Sequence, residues 1–205
     1  CGPIRFNYDD TWHSSGNMSI QCHPDADFVV KNHREFGRQD ESYYVCVASH
    51  GAKTYLGFNE PDSGEKFMQE ARRVEHNGEL IDYEKYINAV PSIPGTQVMI
   101  PAGTVHASGR NQVILEIGSL TVGSYTYKLY DYQRIDPATG MPRPIHLKMG
   151  ECVLHKERDR KYVYENLVNH GGVVREGEDW KEIVVGECDM LYFSLRNDVF
   201  ARQIE

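Results

Sequence analysis

Two imidazoles, a carboxylate and a primary amide stand where strand geometry can bring them together. Gln21 and His23 lie in Ser19-Ile20-Gln21-Cys22-His23-Pro24, Glu41 opens Glu41-Ser42-Tyr43-Tyr44-Val45, and His106 ends Pro101-Ala102-Gly103-Thr104-Val105-His106. A metal ion needs several ligands converging from different strands. Alternation along an extended segment puts Gln21 and His23 on one face and turns Cys22 to the other. The connection from His23 to Glu41 is long enough for the next strand to return antiparallel. The four donors would form a shell of two nitrogens and two oxygens with room for water. Neutral imidazoles with a carboxylate and an amide oxygen suit Zn²⁺, and Mn²⁺, Fe²⁺ or Co²⁺ fit the same set.

Such residues must be carried by strands, and the surrounding chain has that character. Residues 43–48, 97–100, 112–117 and 125–130 are β-branched and aromatic runs, punctuated by Gly, Pro, Asn and Asp. Their turn-separated spacing fits an all-β sandwich or barrel. From Ser63 to about Asn88, Phe67, Met68, Ala71, Val74, Leu80, Ile81, Tyr83, Tyr86 and Ile87 recur at three and four spacing, which predicts two helices split near Asn77-Gly78. After about Gly150 the charged residues 155–161 read as a solvated linker, followed by strand-like runs at 183–185 and 190–193.

The chain has 205 residues, a net charge of −8, 40% hydrophobic and 25% charged residues, which excludes a disordered chain. No run approaches the roughly 18 apolar residues of a membrane span, and Cys1-Gly2-Pro3-Ile4-Arg5 lacks the apolar core of a signal peptide. The expectation is a cytoplasmic protein without a membrane partner. The acidic balance argues against nucleic acid. Cys1, Cys22, Cys46, Cys152 and Cys188 are odd in number and widely spaced, the pattern of reduced, packed thiols.

The segment Gly95-Thr96-Gln97-Val98-Met99-Ile100-Pro101-Ala102-Gly103-Thr104-Val105-His106-Ala107, with Asn111 beyond it, resembles the second motif of the cupin β-barrels, where a hairpin aims one histidine into the barrel. The likeness narrows when further motifs are added in order. Ser-Ile-Gln-x-His-Pro at 19–24, Glu41 before an aromatic strand, Leu115-Glu116-Ile117, the run from Lys128 to Arg134 and Ile145-His146-Leu147-Lys148 resemble the type I mannose-6-phosphate isomerases across residues 15–150. The resemblance is to a divergent branch in which this cupin is part of a longer protein. It implies a mainly β cupin jelly-roll barrel over residues 1–150 with a helical insertion at about 63–89. Residues 151–205 would be a linker and a short β appendage, or the start of an incomplete second barrel.

The resemblance also implies a chemistry: a zinc-dependent aldose–ketose isomerase moving a proton between C1 and C2 of mannose 6-phosphate to give fructose 6-phosphate through an enediol. Gln21, His23, Glu41 and His106 match the family's metal ligands. Ser19 would help hold the phosphate, Glu116 would line the metal pocket, and Arg134 would face the reacting oxygens, where stabilising developing charge is commonly the largest catalytic effect, with Lys128, at the place of a phosphate-clamping arginine, counted as catalytic beside it. Further domains of a longer chain or a second copy would be the protein partners. Three positions depart from the family pattern: Gln39 replaces a lysine, Lys128 an arginine and Ser124 an aspartate. These departures favour two alternatives, a non-catalytic metal- and sugar-binding cupin or an isomerase of an unphosphorylated sugar. His33 is placed to approach the pocket mouth. Tyr125, Tyr127, Tyr130 and Tyr132 read as barrel packing, with sugar stacking as the alternative.

Overall fold

The computed structural model describes residues 4–8, 16–119, 125–169 and 171–201. Its strands are β1 (Ile4–Tyr8), β2 (Ile20–Cys22), β3 (Glu41–Ala48), β4 (Lys53–Phe58), β5 (Ile87–Pro91), β6 (Gln97–Ile100), β7 (His106–Ser108), β8 (Gln112–Gly118), β9 (Tyr127–Tyr130), β10 (Val168–Asn169), β11 (Gly172–Glu176), β12 (Trp180–Gly186) and β13 (Leu195–Phe200). The helices are α1 (Ala26–His33), α2 (Ser63–Val74), α3 (Leu147–Val153) and α4 (Arg160–Asn166). All four sequence-predicted strand runs are present, as β3, β6, β8 and β9.

The strands form two five-stranded antiparallel sheets, ordered β1-β8-β3-β6-β10 and β5-β4-β7-β2-β9, with β11-β12-β13 as a separate three-stranded sheet. Two buried clusters hold them. Tyr43, Val45, Val98, Ile100 and Ile114 of the first sheet join Leu56 and Val90 of the second. On the opposite face of the second sheet, Ile20, Cys22, Tyr55 and Phe58 pack against Phe67, Met68, Ala71 and Val74 of α2 and Leu147 and Val153 of α3. The pattern of α2 explains this, since its apolar residues fall on one stripe.

Local signals set the helix ends. Asp25 follows Pro24 and caps α1 by accepting the Phe28 N–H at 2.8 Å, and Asp159 caps α4 by accepting that of Tyr162 at 2.9 Å. The second helix expected after Gly78 does not form. Its residues make a 3₁₀ turn at Tyr83–Lys85 and then strand β5, which pairs with β4. Ile87 and Val90 are β-branched, and Pro91 is tolerated because β5 is the sheet's edge. Leu80, counted toward that helix, is 69% exposed.

Two readings beyond Gly150 also change. The charged stretch is not a solvated linker: Arg158 is buried against the barrel and α4 begins within it. The strand expected at 190–193 lies instead at Leu195–Phe200, because Met190 is held elsewhere, its sulfur 3.4 Å from the Tyr162 hydroxyl and its carbonyl accepting Arg38.

Gly57 marks where α4 meets the barrel. Its φ of +67° is left-handed, and a Cβ there would lie 2.5 Å from the Arg158 carbonyl oxygen and 2.5 Å from Val163 Cγ2. Gly57→Ala is expected to lower the unfolding free energy by about 2–4 kcal/mol, combining backbone strain with overpacking. A urea unfolding curve measures it, and an unchanged midpoint would count against this packing.

Candidate metal centre

The two sheets each contribute an inner row. In the second, Leu56 pairs with His106, His106 with Gln21, and Gln21 with Lys128, so four side chains cross β4, β7, β2 and β9 on one face. In the first, Glu41 and Tyr43 share a face of β3 by alternation, and Glu116 of β8 pairs with Tyr43. Facing packing of these rows brings together His23, Glu41 and His106, which are separated by up to 83 positions in sequence.

His23, Glu41 and His106 converge so that one ligand atom from each lies within 4.8 Å of the others. His23 Nε2 is 3.2 Å from one carboxylate oxygen of Glu41, and His106 Nε2 is 3.4 Å from the other. The ring centroids are 5.0 Å apart. Glu41 is only 3% exposed, His23 1% and His106 0%.

The tautomers follow from the outer nitrogens. His23 Nδ1 donates to the Tyr125 carbonyl at 3.0 Å, and His106 Nδ1 donates to the Thr104 carbonyl at 2.9 Å. A carbonyl accepts only from a protonated nitrogen, so each neutral ring turns an unprotonated Nε2 toward Glu41. Both Nε2 atoms are buried without a hydrogen-bond partner. With both rings neutral, three acceptors meet, an arrangement that a cation relieves. Burial opposes ionisation of Glu41, yet His23 and His106 hold its carboxyl well below the usual carboxylate range. Burial opposes charge on His23, but Glu41, with a smaller contribution from Glu116, raises it above the ordinary imidazole value. Both directions report a place that stabilises positive charge. The donor set fits a divalent metal.

Two neutral donors orient the carboxylate. Gln39 Nε2 bonds one oxygen, and the Tyr43 hydroxyl donates to the other at 3.2 Å. The position where the resembling family carries lysine is thus occupied by a group that positions Glu41. Ser19 donates to Gln21 Oε1 at 2.9 Å, steering the amide, and its single proton is committed there. Cys22 faces away as expected, and burial pushes its thiol up to about 12.

Lys128 lies directly across from Gln21 on the inner face. Burial, then Arg143 and Arg134, lowers its pKa against the opposing pull of Asp131. Arg134 is anchored outside the triad: its guanidinium pairs with Asp131 at 2.7 Å and lies 5.0 Å over the Tyr132 ring. Arg143 reaches the same carboxylate at 2.9 Å and Lys128 approaches it at 3.9 Å. His33 stacks on Tyr125 at 3.8 Å, beside the carbonyl that holds His23. Ser124 lies outside the described residues.

Sequence reasoning missed the clamp on the Pro101–Thr104 turn. Asp40, next to Glu41, accepts the Ala102 N–H and the Arg38 Nε–H on one oxygen, each at 2.9 Å. Arg158 Nη1 donates to the carbonyls of Pro101 at 3.2 Å and Ala102 at 2.9 Å and to the Thr104 hydroxyl. The carbonyl of Thr104 fixes His106, so this buried arginine holds the ligand's support. Asp40 was detectable as an acid flanking a ligand; Arg158, 52 positions beyond His106, had no local signal.

No protein-family model matches the chain. By sequence it is 30% identical over 137 residues to mannose-6-phosphate isomerase of Streptococcus mutans, an alignment covering 67% of this chain and 40% of that protein. It is 30% identical over 133 residues to mannose-6-phosphate isomerase ManA of Bacillus subtilis, covering 64% and 38%. Among solved structures, mannose 6-phosphate isomerase from Bacillus subtilis superimposes with a TM-score of 0.66 at 22% identity, over 88% of this chain and 51% of that one. A variant of phosphomannose isomerase from Salmonella typhimurium gives 0.52 at 12% identity, over 89% and 62%. These likenesses establish the fold as that of the cupin jelly roll. The chain spans about 40% of the length of the curated relatives it matches.

Arg158→Met is expected to keep the fold but weaken zinc binding by about 10- to 100-fold, the usual scale for support of a ligand. Competition with a chromophoric chelator measures it, beside His106→Ala, which should bind no zinc. Equal affinity for Arg158→Met and the parent would remove Arg158 from the account.

Proposed function

We propose that this chain, a relative of the mannose-6-phosphate isomerases, carries the metal-dependent isomerase site of a sugar-phosphate isomerase, acting on mannose 6-phosphate and fructose 6-phosphate. The observation that carries the reading is the buried His23–Glu41–His106 group, with both Nε2 atoms turned toward the Glu41 carboxylate and buried without a hydrogen bond. The metal is proposed to be zinc, and Gln21 its fourth ligand, since the amide stands beside His106 in the inner row. Such an ion supplies electrophilic polarisation of a sugar's oxygens when bound.

The chain's own residues do the remaining work. Moving a proton between C1 and C2 builds negative charge on the sugar oxygens, and a preorganised cation opposes that charge. Lys128, across from Gln21, is assigned that place, with Arg134 behind it. Lys128, Arg134 and Arg143 surround one carboxylate, Asp131, so the group retains positive charge to attract a phosphate. Ser19 is reassigned from phosphate donor to orienting Gln21, because its proton is already used. Glu116 lines the site opposite Tyr43 and strengthens its negative field.

Metal-stripped protein should show no interconversion of mannose 6-phosphate and fructose 6-phosphate, and one equivalent of zinc should restore it. Lys128→Met should keep zinc and lose turnover by about 100-fold or more. Stoichiometric zinc uptake with sugar binding but no turnover would instead identify a non-catalytic cupin, the reading that Gln39 in its supporting role favours. Equal turnover of mannose and its phosphate would place the specificity with unphosphorylated sugars.

A further inference from the structure

The metal centre uses one face of the second sheet, and the other face bears a cleft. Leu56 pairs with His106 and faces inward, whereas its neighbour Tyr55 pairs with Ala107 and faces out. Outside lies a cleft of about 580 Å³, within the range of small-molecule sites. Its walls include Tyr55, Tyr83, Tyr130, Tyr132, Asn17 and Lys53. The tyrosines near the end of β9 thus divide. Tyr125 and Tyr127 contact His33, while Tyr130 and Tyr132 turn into the cleft.

The walls are ordered. Tyr83 stands edge-on to Tyr55 and to Tyr132, each with centroids 5.3 Å apart, and Tyr130 meets Tyr132 at 5.1 Å. The Tyr132 hydroxyl donates to the Met18 carbonyl at 2.9 Å, and the Tyr130 hydroxyl accepts the Ile81 N–H at 3.0 Å. A polar network joins the tips: Tyr55 donates to Glu84 at 2.7 Å, Lys53 donates to the same oxygen at 2.9 Å, and Asn17 donates to the Tyr83 hydroxyl at 2.9 Å. The Lys53 ammonium and the second Glu84 oxygen keep hydrogen-bonding capacity beyond these bonds.

Backbone strain concentrates here as well. Of the five non-glycine residues with left-handed φ among those described, three line the cleft: His50 at 48°, Asn111 at 68° and Tyr132 at 56°. Such conformations are costly and gather where a surface is shaped for binding. Burial pushes the Tyr55 and Tyr132 phenols up, so both stay neutral.

Aromatic walls accept the C–H faces of a saturated ring, and fixed donors and acceptors at their tips accept its hydroxyls. Lys53 pairs with Glu84 and Arg110 also acts on that carboxylate, so the charged groups of the cleft are engaged with one another and the rest of its surface is ring faces and neutral donors and acceptors, suited to a polar uncharged ring. We propose that this cleft is a second ligand site that binds the pyranose ring of a sugar, separate from the metal centre and independent of its chemistry.

The test uses methyl α-mannopyranoside and methyl β-glucopyranoside, whose rings cannot open, with inorganic phosphate as control. Binding is followed by saturation-transfer NMR and calorimetry on the metal-free chain. At least one pyranoside should bind saturably, His106→Ala should bind it equally well, and Tyr83→Ala should weaken it about tenfold or more, with Tyr83→Phe intermediate. Leu80→Arg, at an exposed residue lining the cleft, is a second variant that should block entry without touching a buried group. No saturable binding, binding lost with His106→Ala, binding indifferent to both cleft variants, or phosphate competing as well as the sugar would each overturn the proposal.

Discussion

A buried carboxylate facing two buried imidazole nitrogens is the constraint on which this structure depends. Glu41 is almost wholly removed from water, and an unpaired charge there would be costly. Gln39 and Tyr43 supply hydrogen bonds but no compensating charge. His23 and His106 have spent their Nδ1 protons on backbone carbonyls. Only a positive charge among the three settles the arrangement, so the ligands act as a unit. They also come from different sheets, which makes their geometry a property of how the two sheets face each other. The Pro101–Thr104 turn, gripped by Asp40 on one side and Arg158 on the other, links Glu41's strand to His106's support.

What was legible in the sequence was local and periodic. Alternation placed Gln21 and His23 on one face and turned Cys22 away, and β-branched runs marked β3, β6, β8 and β9. Three other features were settled by partners far along the chain. Ile87 continues the helical spacing of Leu80, Tyr83 and Tyr86 as readily as it opens a strand, and pairing with β4 decides between them. The charges around Arg158 look like any solvated stretch until its guanidinium meets three acceptors on a turn more than fifty positions earlier. The tyrosines from 125 to 132 form one cluster in sequence but two in space. A register shift between β2 and β9 at Ile20/Gln21 falls within that run.

That shift also bears on how one narrow sheet serves two surfaces. Strands β4, β7, β2 and β9 present Leu56, His106, Gln21 and Lys128 inward, while Tyr55, Ala107 and Cys22 face out. A one-residue slip would exchange the two sets and place a tyrosine where a ligand belongs. Burial of Ile20 and Cys22 beneath α2 and α3 opposes such a slip, so the helical layer stabilises the inner face through the outer one.

Asp131 resolves a conflict that this arrangement creates. Lys128 projects from the same inner face as the ligand row, and the strongest acceptors across the barrel are Glu41 and Glu116. A lysine drawn onto Glu41 would compete with any cation for the same oxygens, since opposite charges at contact attract strongly at low dielectric. Asp131, three residues on and nearly buried, offers a nearer carboxylate, already gripped by Arg134 and Arg143. Lys128 pairs with Asp131 at 3.9 Å, and the charges that act on it are Asp131, Arg143 and Arg134 rather than Glu41. The two arginines offset the charge that Asp131 would otherwise add to an acidic site. Positive and negative groups thus stay in separate clusters inside one barrel.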